Sequence, residues 1–250
     1  MKDAGSLEYA FARMSARYGD RAPEALWRRI EHLRDFADAL TVVRASPLAA
    51  WVVGVGTDAS GDAIEAAARR HWRSLVAEVA DWMPAEWAPA IAWCARLTDL
   101  PALLQAAHPQ SAPPWRHEEP LFEDLAEDAR RGERGLALLL AAATDGAPWV
   151  LRAWRAEWAR RLPGPVARWP QLEALQTMLD AHAQVFRAAH PADGWPLRRA
   201  LQARLCVLFR RAAFDPSAAF VFLALTALEY ERIRGELLRR RVFPAHPLAA

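Results

Sequence analysis

Lysine is almost missing from this sequence. Lys2 is its one occurrence, so Schiff-base chemistry and serine–lysine nucleophile pairs have almost no donor to draw on. Cysteine is nearly as scarce: Cys94 and Cys206 both lie in apolar helical stretches, where they read as buried thiols rather than as a disulfide or redox pair. A cytoplasmic location fits that reading. Nor does either charge dominate, because 32 basic against 30 acidic side chains leave a formal net charge of +2. This near balance argues against nucleic acid as the main partner. Long apolar runs are lacking too. The longest runs free of Asp, Glu, Lys, Arg and His, Ala45 to Thr57 and Pro216 to Leu228, have 13 residues each, too few to cross a bilayer and better read as core helices. Met1 to Glu8 is short and polar, unlike a secretory leader. Membrane attachment is therefore expected only through partners.

What is present is apolar and aromatic: 53% of the 250 residues are hydrophobic, with 12 Trp and 9 Phe, which supplies a large core and excludes disorder over most of the chain. This length stands at the upper end of what one core serves, so one elongated domain and two fused lobes are both open. We read residues 1–250 as a single all-α domain. Leu7, Phe11, Met14 and Tyr18 fall at i, i+4, i+7 and i+11, a helical stripe predicted to be buried. Leu26, Ile30, Leu33, Ala37 and Leu40 continue that spacing to about Ser46, where Pro47 stops or bends the helix. Residues 54–61 read as a loop, with Asp62 and Glu65 as the capping box of a helix buried through Ile64, Ala68, Trp72, Leu75, Val79 and Trp82. Pro84 is expected to start another helix and Pro89 to kink it. The four prolines between Pro109 and Pro120 mark a linker or loop. Helical patterns then cover 121–131, 133–143, 147–162, 169–189, 195–211 and 216–241, and no segment alternates with period two.

Catalytic motifs are not found. Gly54, Gly56 and Gly61 are wrongly spaced for a phosphate loop, and there are no other strand-like runs to build its parallel sheet. The seven histidines never form a metal-binding i, i+4 pair with an intervening Glu. The neighbours His117, Glu118 and Glu119 read as a solvated loop, and Asp124, Glu127 and Asp128 as a surface face with arginines nearby. No cofactor, metal or nucleotide is expected, and an enzyme is unsupported rather than excluded.

The two chain ends carry a different signal. The opening helix reads YAFAR from Tyr9 to Arg13, followed by Arg17; the next segment reads LRDFADALTVVRASPLAAWV; the closing helix reads ALEYERIRGELLRRRVF, with Ile233 and Arg234 after an acidic cluster. This combination resembles the d/C-type family of V-type and A-type rotary ATPase subunits, over about 75 residues at the two ends, with the middle unmatched and the C-terminal match offset by one residue. The resemblance implies an all-helical, non-catalytic subunit that joins the central stalk to the membrane rotor ring and couples ATP hydrolysis to ion (proton) transport. Its partners would be other protein subunits of that assembly, and its location cytoplasmic and peripheral to the membrane. A helical maturation chaperone or adaptor, binding an apolar peptide in a groove, is the alternative.

Seven residues are candidates for partner binding. Tyr9, Arg13 and Arg17 lie on the side of the first helix away from its apolar stripe. Along the last helix, Phe220 to Leu228 is apolar all round, and beyond it Glu231 with Arg234, and Glu236 with Arg239 and Arg240, stand at i, i+3 and i, i+4 spacing. Each such pair contributes only about 0.2 to 0.5 kcal/mol, too little to explain so many arginines. We therefore expect Glu231, Arg234, Arg239 and Arg240 to face solvent or an acidic partner, and expect joint replacement of the three arginines by Ala to spare the fold.

Overall fold

The computed structural model describes residues 6–107, 121, 124, 126, 127, 130 and 134–243. Its helices are α1 (Leu7–Gly19), α2 (Glu24–His32), α3 (Phe36–Arg44), α4 (Gly61–Trp82), α5 (Ala88–Trp93), α6 (Leu100–Ala106), α7 (Gly135–Ala143), α8 (Ala147–Arg161), α9 (Pro170–Ala188), α10 (Gly194–Arg211) and α11 (Ser217–Val242). Among the described residues there is no strand, so the fold is all-α. The chain divides into two compact units. One joins Met1–Ala85 to Val166–Ala250, and the other is Glu86–Pro165. The proline-rich stretch expected between Pro109 and Pro120 lies outside the described residues.

In the discontinuous unit, α11 packs against α1, α3, α4, α9 and α10. Its apolar first half is buried as the sequence predicts, through Phe220, Val221, Phe222, Leu223 and Leu225. The second half does not emerge into solvent: Tyr230, Arg232, Ile233, Glu236, Leu237 and Arg240 are buried as well. Every residue predicted for the inner face of α4 is buried. On α1 the buried face centres on Ala10 and Met14, one step round the wheel from the predicted stripe. Leu7, Phe11 and Tyr18 are half-buried at its edge, with the Phe11 and Tyr18 rings against Phe209.

Helix ends account for the other departures. The spacing from Leu26 to Leu40 suggests one helix, yet the chain breaks between α2 and α3, because the Asp35 carboxylate accepts from the Ala37 and Asp38 amides at 2.7 and 3.0 Å. That N-cap satisfies donors a continuous helix would have paired internally. The start of α4 is capped by Ser60, whose hydroxyl accepts from the Ala63 amide at 3.2 Å, not by an Asp62 and Glu65 box. Pro89 sits in the first turn of α5, where its missing N–H has no cost, so it starts that helix rather than kinking it.

The Glu86–Pro165 unit is built from α5 to α8 around two tryptophans. Trp93 donates its indole N–H to the Trp154 carbonyl at 3.1 Å, and the Arg161 guanidinium lies over the Trp93 ring. Gly135 opens α7 where a side chain would meet the Trp93 ring at 3.0 Å. Cys94 is buried and Cys206 half-buried, both as free thiols. Burial pushes the Cys94 thiol up to about 12, so it is unreactive.

Because the Asp35 cap makes two separate helices of one apolar run, Asp35→Ala should lower the unfolding free energy by about 1 kcal/mol. Urea denaturation followed by circular dichroism measures it.

Candidate partner-binding surface

The seven candidate residues gather on the Met1–Ala85, Val166–Ala250 unit, and most are already engaged. On α1, Tyr9 is half-buried. Arg13 lies over the Trp82 ring at 5.1 Å with its Nη2 3.9 Å from Glu78. Arg17 donates from one Nη to both oxygens of Glu78 at 2.8 and 2.9 Å. Both arginines keep about half of their side-chain surface in solvent (49% and 47%). They remain available to a partner.

Along α11 the result is different. Arg239 is 56% exposed and pairs with Glu236 at 3.0 Å. Arg234 spans to α4 through a hydrogen bond from its Nε to Glu65, and Glu231 stands 3.9 Å from both Arg234 and Arg198. Arg240 is only 4% exposed, so the expectation that it faces a partner fails. Its guanidinium pairs with Glu236 at 2.7 Å and donates to the carbonyls of Ile30 and Leu33, the latter at 3.0 Å. Ile30 lies in the last turn of α2 and its carbonyl also accepts from the Leu33 amide at 3.1 Å, while Leu33 is the residue that caps the helix. Arg240 therefore closes a helix end that lies more than 200 residues away in sequence.

Sequence reasoning missed Arg232, which is 8% exposed. It donates to Glu24 at 2.9 and 3.0 Å and to Glu31 at 2.7 Å, and lies over the Trp27 ring at 4.5 Å. The Arg232 hydrogen bond holds the Glu24 carboxyl below its usual range. A signal was present: Arg232, Glu236 and Arg240 recur at i, i+4 and i+8, a polar stripe turned toward α2. The concentration of arginine at this end of the chain thus has a structural cause in long-range pairing.

A second polar cluster adjoins α1. Trp51, in the 3-10 turn Ala49–Val52, donates its indole N–H to Glu229 at 3.0 Å, and the Arg21 Nε stands 3.8 Å from the same carboxylate. His71 of α4 meets the Trp51 ring edge-on. Burial holds the His71 imidazole below its ordinary pKa, and Arg17 adds to the effect against the opposing Glu78. Among the described residues no three of His, Cys, Asp and Glu gather as metal ligands do. No known protein family, curated protein or solved structure matches the chain.

Arg240→Ala should cost about 3 kcal/mol of unfolding free energy, since it leaves the buried Glu236 only the exposed Arg239 and takes the side-chain donor from the Leu33 carbonyl, whereas Arg239→Ala should stay within about 0.5 kcal/mol. Paired urea titrations separate them, and equal costs would show that the burial of Arg240 carries no energy. For His71 the sign follows from its lowered pKa. The unfolded chain takes up the proton first as pH falls below about 6.5, so the stability present above that value is lost on acidification. His71→Gln should flatten the fall in urea midpoint between pH 7.5 and 5.5, leaving the part contributed by His182, whose pKa burial also lowers.

Proposed function

We propose that this chain is a non-catalytic coupling subunit of a V-type/A-type-like rotary ATPase, joining the central stalk to the membrane rotor ring. The observation that carries the reading is the meeting of the chain ends. The helices bearing the family resemblance, α1 and α11, pack against each other in one unit although their sequences lie some 200 residues apart. A torque-transmitting part must not deform under load, and the hydrogen bonds from the buried Arg232 and Arg240 of α11 to Glu24, Glu31 and the Ile30 carbonyl of α2 favour rigidity of that kind. Among the seven candidate residues, Arg13, Arg17 and Arg239 keep the most side-chain surface in solvent with which to fix a partner's orientation. No helix among the described residues is long and apolar enough to cross a membrane, in keeping with a subunit held at the cytoplasmic face by its partners.

A helical chaperone or adaptor is the second reading, and one feature favours it. Val185, Ala188, Ala189, Pro196 and Leu197 line an open, largely apolar hollow of about 570 Å³ between α9 and α10.

The experiment is gentle isolation of the tagged full chain from its native cells, with co-isolated proteins identified by mass spectrometry. Recovery of central-stalk and rotor-ring proteins, weakening as salt is raised, is the expected result. The double replacement Arg13→Ala, Arg239→Ala should leave the thermal midpoint within a few degrees and reduce recovery of those proteins severalfold. If the parent chain brings down none of them, the coupling reading is wrong.

A further inference from the structure

A cavity of about 270 Å³ lies between α1, the Ala49–Val52 turn, α4 and α11, lined by Arg17, Asp20, Arg21, Trp51, His71 and Glu229 among others. Its wall holds one buried donor without a partner. Arg21 is only 19% exposed, yet its guanidinium makes no hydrogen bond to any described residue; its nearest acceptor, Glu229, stands 3.8 Å away, and its Nε is buried without a partner. Glu229 is already occupied by the Trp51 indole N–H at 3.0 Å. Arg17 uses one nitrogen on Glu78, leaving its Nε and second Nη free. The guanidinium lies over the Tyr18 ring at 5.5 Å, and its buried Nε–H is costly to leave without an oxygen at hydrogen-bond distance.

We propose that this cavity binds a carboxylate group, received by the guanidinium groups of Arg21 and Arg17 against the Trp51 ring. The planar guanidinium fork matches a carboxylate, giving two charge-assisted hydrogen bonds. Asp20 and Glu229 share the lining with the two arginines, so the double charge of a phosphate dianion meets more repulsion there than the single charge of a carboxylate. The volume falls below the roughly 300 to 1,000 Å³ of drug-sized pockets, so it admits a small acid or the carboxylate tip of a larger chain. A neutral His71 adds one more hydrogen-bonding group to the wall. This site is independent of the coupling reading, and its test uses no ATPase component.

The two sources, a free carboxylic acid and a carboxylate carried on a protein chain, are separable by titration of the full-length protein at constant ionic strength. The probes are acetate, blocked tetra-alanine with a free C-terminal carboxylate, the same peptide as its C-terminal amide, and inorganic phosphate. The readout is the NMR shift of the Trp51 indole N–H, assigned by Trp51→Phe. Saturable shifts with a carboxylate in the millimolar range, and binding at least about tenfold weaker for phosphate and for the amide, are expected. Tighter binding of the peptide acid than of acetate assigns the site to a partner's carboxylate; the reverse, or equality, assigns it to a free acid. Arg21→Met should abolish the shift. If that variant does not fold, Arg21→Lys should weaken binding severalfold, because a lysine cannot reproduce the fork. The proposal is overturned if neither carboxylate gives a saturable shift, if phosphate or the amide binds as well as the acid, or if the Arg21 variant that folds binds like the parent.

Discussion

The architecture of the larger unit depends on one arrangement, the buried Arg232, Glu236 and Arg240 stripe on the inner side of α11. Two guanidinium groups and a carboxylate withdrawn from water cost several kcal/mol each unless every one finds partners. Here they do: Arg232 holds Glu24 and Glu31, Glu236 lies between Arg239 and Arg240, and Arg240 finishes the carbonyls of α2. Such a set tolerates little sliding, because a shift of one residue along α11 would turn the stripe about 100° away from α2. Apolar packing alone, through Phe220 to Leu225, leaves register less sharply defined. The charges specify it.

Much of the fold could be read directly from the order of residues. Proline positions and helical spacing predict α7 to α11 to within about two residues at most ends, and the inner face of α4 is identified residue by residue. Failures occur where a local cap competes with a longer apolar pattern. Asp35 cuts a run that spacing alone joins, and Ser60 rather than Asp62 starts α4. The candidate surface was less legible. Charge at i, i+4 spacing looks the same whether it meets water or another helix, and only the tertiary partners, Glu24, Glu31 and Glu65, distinguish the cases. For that reason the spacing predicts that Arg240 faces solvent or a partner, whereas it is buried. Arg13 and Arg17, by contrast, lie on the exposed side predicted for them.

The perturbed groups of the molecule have structural causes. Its buried thiol is pushed far from reactivity, and its perturbed histidine stands beside a tryptophan ring and two charges already in balance. Polar groups instead fix helices to one another or present donors at a small cavity.

The partition of the chain into an inserted unit and a split one has a consequence for the order of assembly. As synthesis proceeds from the N-terminus, Glu86–Pro165 is complete long before its host, since α1 to α4 wait for a helix that begins at Ser217. Until then Trp27 and Ile30 lack their cover, and the carbonyl ends of α2 lack Arg240. Loop closure across some 200 residues adds only a modest entropic toll, but it slows the search, so the early half spends its first seconds as exposed apolar surface. The same clasp that ties the finished unit together thus leaves the apolar faces of the early half waiting for their cover until the last helix is made.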